Sequence, residues 1–429
     1  MRPTVEVSIR GSTATAGHYF TWSPVDCTAR VTDPDGAVDP VAITVRNRTH
    51  TAGAPLTFRA AAAEAPADQL PLLLDVAGAP TSFQIVPVFQ SASEENHSAG
   101  IVVDVAGEVD ASVEISAMVR IRPDADTMTT AQRDRYLTAF AALNDGGAGR
   151  FQDFRDMHLD STSDEAHGNA GFLPWHRAYL LDLERELQAI DPSVTLPYWR
   201  FDRPAPNLFS PHFIGQSTGT SQPELAPSNP LATWVTDGIP GIQRRTTGWN
   251  DQKESAPGLP TFPVRTEAET LALGSVFQQF WVMEGSPHGA AHISFVGSIN
   301  SIDSAARDPL FFMLHCNVDR LWAKWQWLNR RYDGGDSATY HPDGAFGAVR
   351  VGHKRGDTMW PWNAVTGWPR PPTAPRTPLA PSPVTAAPGD YPTVGAMIDY
   401  QGQLSPDNWC GFDYDDVPFE PEPGGTDGP

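Results

Sequence analysis

Histidines carry the most informative pattern in this 429-residue sequence, because six of the 12 fall within residues 158–315. They form two groups of three, His158, His167 and His176, and then His288, His292 and His315. On a helix, residues four apart such as His288 and His292 leave the same face, so both imidazoles can meet one ion. Three neutral imidazoles with an open position suit copper, zinc or iron, and the lack of a carboxylate in either group favours copper or zinc. A single buried histidine is more often structural, but six in this arrangement predict two metal sites.

Two long helices are expected to hold two of these histidines. The sequence from Pro174 to residue 190 predicts a helix, since proline suits a first turn and the Asp-Pro pair that follows ends it. His176 heads one otherwise apolar face of this helix, which continues through Leu180, Leu183, Leu187 and Ile190. Asp308, followed by a proline at the first helical position, predicts the start of a second helix that carries His315.

Shorter patterns predict the elements that carry the remaining ligands. Capping boxes at 129–132 and 266–269 predict two further helices. The second of these is expected to continue to residue 284, with one face made of Leu273, Phe277, Phe280, Trp281 and Glu284. The Ser-Pro pair at 286–287 then restarts the chain as a helix that carries His288 and His292. His158 shares a helical face with Phe151 and Phe154, and His167 is expected on a loop.

The chain divides into three parts by its patterns. Residues 1–122 alternate apolar and polar side chains, as at Val5, Val7 and Ile9, which predicts an all-β, sandwich-like domain of unknown role. Residues 123–365 have mainly helical periods and contain both histidine groups. From 366 to 429 a proline-rich run at 369–388 and a very acidic tail predict an irregular segment, its tail disordered.

Charge and composition exclude several classes of partner. The formal net charge of −21 disfavours nucleic acid and anionic membrane surfaces. No run of about 18 apolar residues predicts a membrane span, and the N-terminal residues do not resemble a signal peptide. The three cysteines, Cys27, Cys316 and Cys410, are too far apart for a disulfide framework and are expected to be reduced. We therefore expect a cytoplasmic protein.

Two segments resemble the signature regions of the tyrosinase family of type-3 copper proteins, in a form similar to bacterial polyphenol oxidases. They are HGNAGFLPWHR at 167–177 and DPLFFMLHCNVDRLWAKWQ at 308–326. The family also includes catechol oxidases, o-aminophenol oxidases and molluscan haemocyanins. The resemblance implies a four-helix bundle that holds two copper ions in a dinuclear, type-3 site, with the first histidine group on one copper and the second group on the other. It extends over about 125–330 and leaves out the N-terminal β region.

Several positions differ from the family's usual pattern or match its tuning residues. Glu165 stands where many eukaryotic members have a cysteine joined to the second histidine. Cys316 replaces the second histidine of the usual His-His pair. Glu284 matches the family's site glutamate, which holds a water and helps to deprotonate phenol. Gly289 lacks the amide that bacterial members with strong hydroxylase activity have there. Ile302 stands where plant members often place a phenylalanine gate, which implies a more open entrance.

Asp319, one turn after His315, is expected to support the ligands from outside the metal site. Metal-bound imidazoles usually donate their other N–H to a carboxylate or carbonyl. Asp319 is predicted either to orient a neighbouring ligand or to pair with Arg177.

The resemblance implies an oxidase that uses O₂ to convert o-diphenols to o-quinones. It adds o-aminophenols as a further class of substrate and implies weaker ortho-hydroxylation of monophenols. An alternative is reversible O₂ carriage, as in haemocyanins, although those are typically arrays of many units. A third interpretation is a degenerate copper domain on a β binding module, which the retention of six histidines argues against. Small phenols and O₂ are the expected partners, with a copper-loading protein as a further one. Some relatives leave the cell with a partner that carries the signal, so the resemblance adds export of this kind as an alternative to the cytoplasm. The oligomeric state is not indicated by the sequence.

Overall fold

Two compact units make up the protein, which is described here by a computed structural model. The described residues are 3–33, 40–48, 50, 52–107, 112–159, 163–216, 219–246, 264–341 and 351–419. One unit comprises Met1–Ile121 together with Gly411–Pro429, and the other comprises Arg122–Cys410. The first is built of strands, and the second contains all the described α-helices. Within these ranges, no helix is both long and apolar enough to cross a membrane.

The β unit consists of two sheets around one core. Its described strands are β1 (Thr4–Ile9), β2 (His18–Phe20), β3 (Val25–Asp33), β4 (Val41–Asn47), β5 (Leu56–Arg59), β6 (Gln69–Leu74), β7 (Thr81–Pro87), β8 (Ala99–Val105) and β9 (Val113–Val119). One sheet has the order β1-β3-β7-β5 and the other β2-β9-β8-β4-β6. Val5, Val7 and Ile9 point inward from β1 while their neighbours are more exposed, as strand geometry requires. Buried side chains from both sheets form one hydrophobic cluster, so the predicted β character of this region is confirmed.

One strand pair departs from the expected antiparallel arrangement. β2 runs parallel to β9, with His18 opposite Ala117 and Phe20 opposite Val119. The other described pairings in the two sheets are antiparallel. Alternation in a sequence reports which face of a strand is buried but not its direction, so this three-residue edge pairing could not be predicted.

The last described residues return to the β unit. The main-chain N–H of Trp22 donates to Asp413 Oδ2 at 2.9 Å, and its indole N–H donates to the carbonyl of Tyr414 at 2.8 Å. Phe419 packs against the hydrophobic cluster. The segment expected at 366–429 is thus divided, since residues up to Cys410 belong to the helical unit. The acidic residues 420–429 lie outside the described part of the chain.

The helical unit is organised by two long helices. Its described α-helices are α1 (Thr130–Asn144), α2 (Phe151–Met157), α3 (Ser163–Ala166), α4 (Phe172–Ile190), α5 (Glu267–Leu271), α6 (Phe277–Phe280), α7 (Ala290–Ile293) and α8 (Leu310–Asn329). Helix α4 packs on α8 and α1, and α5 packs on α8. Two short two-stranded sheets pair β10 (Val235–Thr236) with β11 (Ile239–Pro240) and β12 (Arg244–Thr246) with β13 (Phe295–Gly297).

The helix starts agree with the predicted caps. Capping boxes are present at Thr129, with Gln132, and at Thr266, with Glu269. The carboxylate of Asp308 accepts a hydrogen bond from Leu310 N at 3.0 Å, so it caps α8 as expected. These local signals were sufficient because each cap involves residues only two or three positions apart.

The expected continuous helix from Thr266 to Glu284 is wrong. Helix α5 ends at Leu271, and Gly274 then adopts a φ of +145°, which is outside the helical region. The chain resumes with α6, a 3₁₀ turn at Trp281–Glu284 and a π-helical turn at Gly285–Gly289. The apolar period does continue over this stretch, but one glycine interrupts the backbone that a single helix would need.

Residues 351–410 are irregular yet well packed in the helical unit. Their buried hydrophobic side chains include Met359, Trp360, Trp362, Leu379, Val394, Met397, Ile398 and Tyr400. Several contacts attach them to the long helices. The guanidinium of Arg177 in α4 donates to the carbonyl of Met397 at 2.7 Å, and the indole of Trp362 donates to Asp182 at 2.8 Å. The prolines of this stretch therefore do not detach it from the core.

Candidate metal centre

All six predicted histidines lie on or directly beside helical segments of the helical unit. They are His158 directly after α2, His167 after α3, His176 in α4, His288 in the π-helical turn, His292 in α7 and His315 in α8. Two of the carrying elements, α4 and α8, are long, and the others are short. Rigid helices thus fix part of the centre, and the remaining ligands depend on the packing of short segments.

The first histidine group comes together as predicted. The ring centroids of His158 and His167 lie 4.9 Å apart, and those of His167 and His176 lie 5.2 Å apart. The rings of His158 and His176 are 5.6 Å apart. His158 and His176 are buried, and His167 is partly buried. The three rings are therefore neighbours, although the ring nitrogens of His158 and His176 converge with that of His315.

The second group is tighter still. Nε2 of His315 lies 3.3 Å from Nε2 of His288 and 3.2 Å from Nε2 of His292. The ring centroids of His288 and His292 are 4.7 Å apart, as expected for residues one helical turn apart. The structure therefore places His315, from α8, against the His288–His292 pair, as the sequence predicts.

The two groups adjoin each other. The rings of His176 and His315 stack with centroids 4.1 Å apart and an interplanar angle of 8°. Ring nitrogens of His158, His176 and His315 lie within 4.8 Å of one another, as do those of His288, His292 and His315. His315 thus stands at the junction of the two groups, and the six imidazoles form one continuous cluster.

Main-chain carbonyls set the orientation of four of these rings. In each case Nδ1 lies within hydrogen-bond distance of a main-chain carbonyl oxygen. The pairs are His158 with Ile302 (3.1 Å), His176 with Phe172 (2.8 Å), His288 with Glu284 (2.7 Å) and His292 with Ile299 (2.7 Å). A carbonyl only accepts, so Nδ1 must carry the proton. The lone pair of Nε2 then points into the centre, where a metal ion would be bound.

Burial keeps the imidazoles neutral. It lowers the pKa of His158 and that of His292 to about 4. The pKa values of His176, His288 and His315 lie well below the usual range for the same reason, helped by their neighbouring histidines. Neutral imidazole is the form that binds a metal ion. These residues are therefore ready to act as ligands at neutral pH without first losing a proton.

The donor set fits a pair of copper ions. Nε2 of His158 and Nε2 of His176 are buried and have no hydrogen-bond partner within the described residues. A buried nitrogen without a partner is costly unless a cation takes that place. Nε2 lone pairs of His288 and His292 also converge on His315, which a bound cation would stabilise. A cluster of imidazoles without a carboxylate among the ligands suits copper.

Glu284 connects the two histidine groups. Its carbonyl holds His288, and its Oε1 accepts a hydrogen bond from the main-chain N–H of Gly168 at 2.7 Å. Gly168 directly follows His167 in the sequence. Burial raises the pKa of Glu284 to about 7, against the opposing effect of the Gly168 hydrogen bond. The apolar helical stripe from which its burial was predicted is broken, but the carboxylate is at the centre.

The other two positions predicted to tune the site, Gly289 and Ile302, are less enclosed than most of the histidines. Gly289 is half-buried, and a Cβ added there would have only the carbonyl oxygen of Glu284 within 4 Å, at 3.5 Å. Ile302 has 45% of its surface exposed. It contacts the centre through its main-chain carbonyl, which holds His158. The family resemblance instead assigned a role at the entrance to its side chain.

Asp319 pairs with Arg177 beneath the centre. Arg177 Nε donates to Asp319 Oδ1 at 2.6 Å, and Arg122 Nη1 donates to Asp319 Oδ2 at 3.3 Å. All three side chains are buried. The guanidinium of Arg177 also lies 3.7 Å from the ring centroid of Trp322. Of the two predicted alternatives, the structure contains the pairing with Arg177.

Two phenylalanines at the centre were missed by the sequence analysis. The ring of Phe172 lies 4.7 Å from that of His176 and 4.8 Å from that of His288. The ring of Phe311 lies 4.7 Å from that of His158 and 4.3 Å from that of His315. Each phenylalanine precedes a ligand on its own helix by four residues. This spacing could have identified both as apolar walls of the site.

Comparison with known proteins agrees with this geometry. The family described as the common central domain of tyrosinase matches residues 148–328. A tyrosinase of Streptomyces antibioticus is 30% identical over 271 residues, which cover 57% of this chain and 94% of the relative. A tyrosinase of Streptomyces glaucescens is 32% identical over 268 residues, which cover 57% of this chain and 92% of the relative. The chain belongs to the tyrosinase family. A functional unit of octopus hemocyanin aligns with a TM-score of 0.45 at 20% identity, over 70% of this chain and 69% of that one.

Family membership identifies the class of chemistry. The chain is a type-3 copper oxidoreductase that takes two copper ions and acts on phenols with O₂. The β unit lies outside the residues that match the tyrosinase domain. Membership of the family does not by itself select among phenols.

Proposed function

We propose that this tyrosinase-family enzyme oxidises o-diphenols to o-quinones, accepts o-aminophenols, and hydroxylates monophenols more slowly. The observation that carries the proposal is the cluster of six imidazoles, five of which burial keeps neutral, beside the partly buried carboxylate of Glu284, with glycine at position 289. In the balanced reaction, two o-diphenols and one O₂ give two o-quinones and two waters. The bound copper ions supply the redox chemistry that transfers electrons from the phenol to O₂.

We assign the first copper to His158, His167 and His176 and the second to His288, His292 and His315. The ring separations of 4.9–5.6 Å within the first triplet support this division, as do the short Nε2 distances from His315 to His288 and His292 within the second. The family's four-helix bundle and its loop would then correspond to the segments that carry the ligands. These segments are α2, the turn after α3, α4, residues 285–293 and α8. The stacking of His176 on His315 brings the two proposed sites together.

The role proposed for Glu284 is to accept the proton of the incoming phenol. Its carboxylate is partly buried and contacts the residue after His167, while its carbonyl holds His288. It therefore lies beside both proposed copper sites. Gly289 offers no side chain to hold a water next to this carboxylate, which is our reason for expecting weak hydroxylation of monophenols. The aliphatic Ile302, partly exposed, leaves room for substituted catechols at the entrance.

The test compares two matched substrates on one copper-loaded sample. Copper content is measured first by mass spectrometry, and O₂ uptake and trapped quinone are then followed with 4-methylcatechol and 4-methylphenol. We expect two copper ions per chain, rapid turnover of the catechol and a long lag with the phenol. His292→Ala should lose one copper and the activity.

Three results would overturn parts of this proposal. Reversible O₂ uptake without quinone would indicate a carrier instead of an oxidase. Equal rates on the phenol and the catechol would refute the role assigned to Gly289. A protein that binds no copper, although it is folded by circular dichroism, would refute the ligand assignment. Full loading from free copper salts would also show that no copper-loading partner protein is needed.

A further inference from the structure

The turn that carries His167 has little regular structure of its own. It follows the four-residue helix α3 and precedes α4, and residues 167–169 lie in bends. Four of the other histidines lie within helical segments, and His158 directly follows α2, which is longer than α3. The position of His167 therefore depends on contacts from elsewhere in the chain.

An ion pair attaches this turn to the irregular C-terminal part of the helical unit. Nε of Arg370 donates to Oε1 of Glu165, two residues before His167. Oε2 of the same carboxylate accepts a hydrogen bond from the main-chain N–H of Trp360 at 2.9 Å. Glu165 has 4% of its side chain exposed and Arg370 has 11%. A buried, charge-assisted contact of this kind has a fixed geometry.

A second attachment lies on the other side of His167. The main-chain N–H of Gly171 donates to Nδ1 of His353 at 3.1 Å. His353 is fully buried, and its own carbonyl accepts a hydrogen bond from the Tyr340 hydroxyl at 2.6 Å. Nδ1 of His353 must be unprotonated to accept this bond, so the imidazole is neutral.

Glycines permit this close approach of the two segments. A Cβ at Gly171 would lie 2.3 Å from Nδ1 of His353. A Cβ at Gly352 would lie 2.2 Å from Oε2 of Glu165, and Gly352 also has a φ of +79°, which disfavours other residues. Each segment thus has a glycine where the other segment's polar side chain rests against its backbone.

The inner side of the turn is held separately. Glu284 accepts from Gly168 N, and the indole N–H of Trp281 donates to the carbonyl of Asn169 at 2.8 Å. The turn is therefore fixed between the segment that carries the second histidine group and residues 352–370. Removing the outer contacts would leave the inner ones in place, so the two sets can be tested independently.

We infer that Glu165, Arg370 and His353 are positioning residues that hold His167 at the first copper ion. This inference rests on the proposed assignment of His167 as a ligand. Loss of the Arg370 contact should weaken copper binding at the first site by about 10- to 100-fold, the range seen when partners outside the ligand set are removed. The second site should keep its affinity, because none of its ligands lies in this turn.

The experiment isolates the first site in a His292→Ala background, which disables the second. Copper content is measured by mass spectrometry, and the rate of copper removal by a chelator is measured with Arg370→Ala, Glu165→Gln and His353→Ala added singly. We expect each to accelerate copper loss about tenfold or more. His353→Asn, whose side-chain oxygen can still accept the hydrogen bond from Gly171, should restore slow release.

Arg185→Ala is the matched control. Arg185 attaches the same C-terminal part to α4 through the carbonyl of Ala380, at 3.0 Å, and in the described part of the chain it contacts neither the His167 turn nor a ligand. Its loss should lower the thermal midpoint without accelerating copper release. Equal release rates in the Arg370→Ala and Arg185→Ala proteins would overturn the inference. A His292→Ala protein that binds no copper at all would instead refute the ligand assignment on which it rests.

Discussion

The missing side chain at Gly289 makes a specific substitution informative. An added Cβ would have only the carbonyl of Glu284 nearby, at 3.5 Å, which is ordinary contact, so Gly289→Asn should fold without strain. Its amide could hold a water beside the Glu284 carboxylate. We expect the ratio of 4-methylphenol hydroxylation to 4-methylcatechol oxidation to rise about tenfold, equivalent to about 1.4 kcal/mol in the barrier. Initial rates on copper-loaded protein measure this ratio.

Gly289→Ala is the control for that substitution. It adds the same Cβ but no amide, and its ratio should stay at the wild-type value. If alanine raised the ratio as much as asparagine, backbone stiffening rather than a held water would be responsible.

Asp319 allows a second test by substitution, because its carboxylate faces two buried guanidinium groups, those of Arg177 and Arg122. Asp319→Asn leaves both with less compensating charge, and breaking such a buried pair costs about 3–5 kcal/mol. Arg177 adjoins His176, and Asp319 lies one turn after His315, so copper occupancy should fall as well. Urea unfolding and copper analysis of the same preparation measure both effects.

Asp308→Asn provides the comparison on the same helix. Asp308 is buried and pairs with Arg244 at 2.9 Å, but it lies seven residues before His315. The Asp308→Asn protein should be less stable than the wild type and should keep both copper ions. Asp319→Asn with full copper content and full activity would contradict the role given to Asp319.

The six histidines, Asp319 and Arg177 were all predicted from their types, their spacing and the family resemblance. Four of them, His176, Arg177, His315 and Asp319, lie on the two long helices, whose apolar period is readable in the sequence. The contacts that orient them could not be predicted in the same way. Ile302 holds His158 through its carbonyl across 144 positions, and Arg370 reaches Glu165 across 205. Such contacts depend on tertiary packing and leave no local pattern.

Among the elements, α5 depends on charge for its packing against α8. Glu267 contacts Arg320 and Lys324 of α8, each at 2.7 Å. Burial by itself would raise the pKa of Glu267, but the charge of Arg320, with contributions from Lys324 and Arg200, outweighs it and lowers that pKa below its usual value. A carboxyl group whose pKa is lowered by folding stabilises the protein above its unfolded pKa, and this contribution is lost as the pH falls through the folded value.

Glu267→Gln should therefore be less stable than wild type at pH 7, and the difference should shrink as the pH falls below about 4.3, the ordinary range of a glutamate. Urea midpoints at several pH values measure it. A difference that stays constant down to pH 3 would show that the contribution is not electrostatic.

Elements with local signals were predicted well. The end of α4 at Ile190 and the caps of α1, α5 and α8 agree with the sequence. The break at Gly274 was missed, since the apolar period runs through it and a glycine is compatible with either outcome. The packing of the stretch after residue 365 was not predicted, because its many prolines leave no helical or strand period, although Leu379, Tyr400 and Trp409 are buried.

At the scale of the whole molecule, the division into two units predicts how copper affects unfolding. All six proposed ligands belong to the helical unit. Copper at 100 times its dissociation constant should add about 2.7 kcal/mol per site to the stability of that unit alone. Calorimetry of the full chain with and without copper should show one transition that shifts and one that does not.

A chelator provides the control for reversibility, since removing copper should restore the original pair of transitions. Two transitions that shift together would show that the β unit and the helical unit unfold as one. The expected boundary near residue 122 would then have no thermodynamic meaning.

The carbonyls that hold four of the imidazoles have a consequence for how this enzyme can be altered. Ile302, Phe172, Glu284 and Ile299 each contribute a main-chain oxygen, which every amino acid possesses. Point mutations at these positions change the walls of the site but leave the acceptors in place. Protein engineers can therefore vary these side chains, of which that of Ile302 is 45% exposed, without removing the main-chain acceptors that orient the imidazoles. The centre combines a mutation-tolerant frame with a variable lining, a favourable starting point for directed evolution.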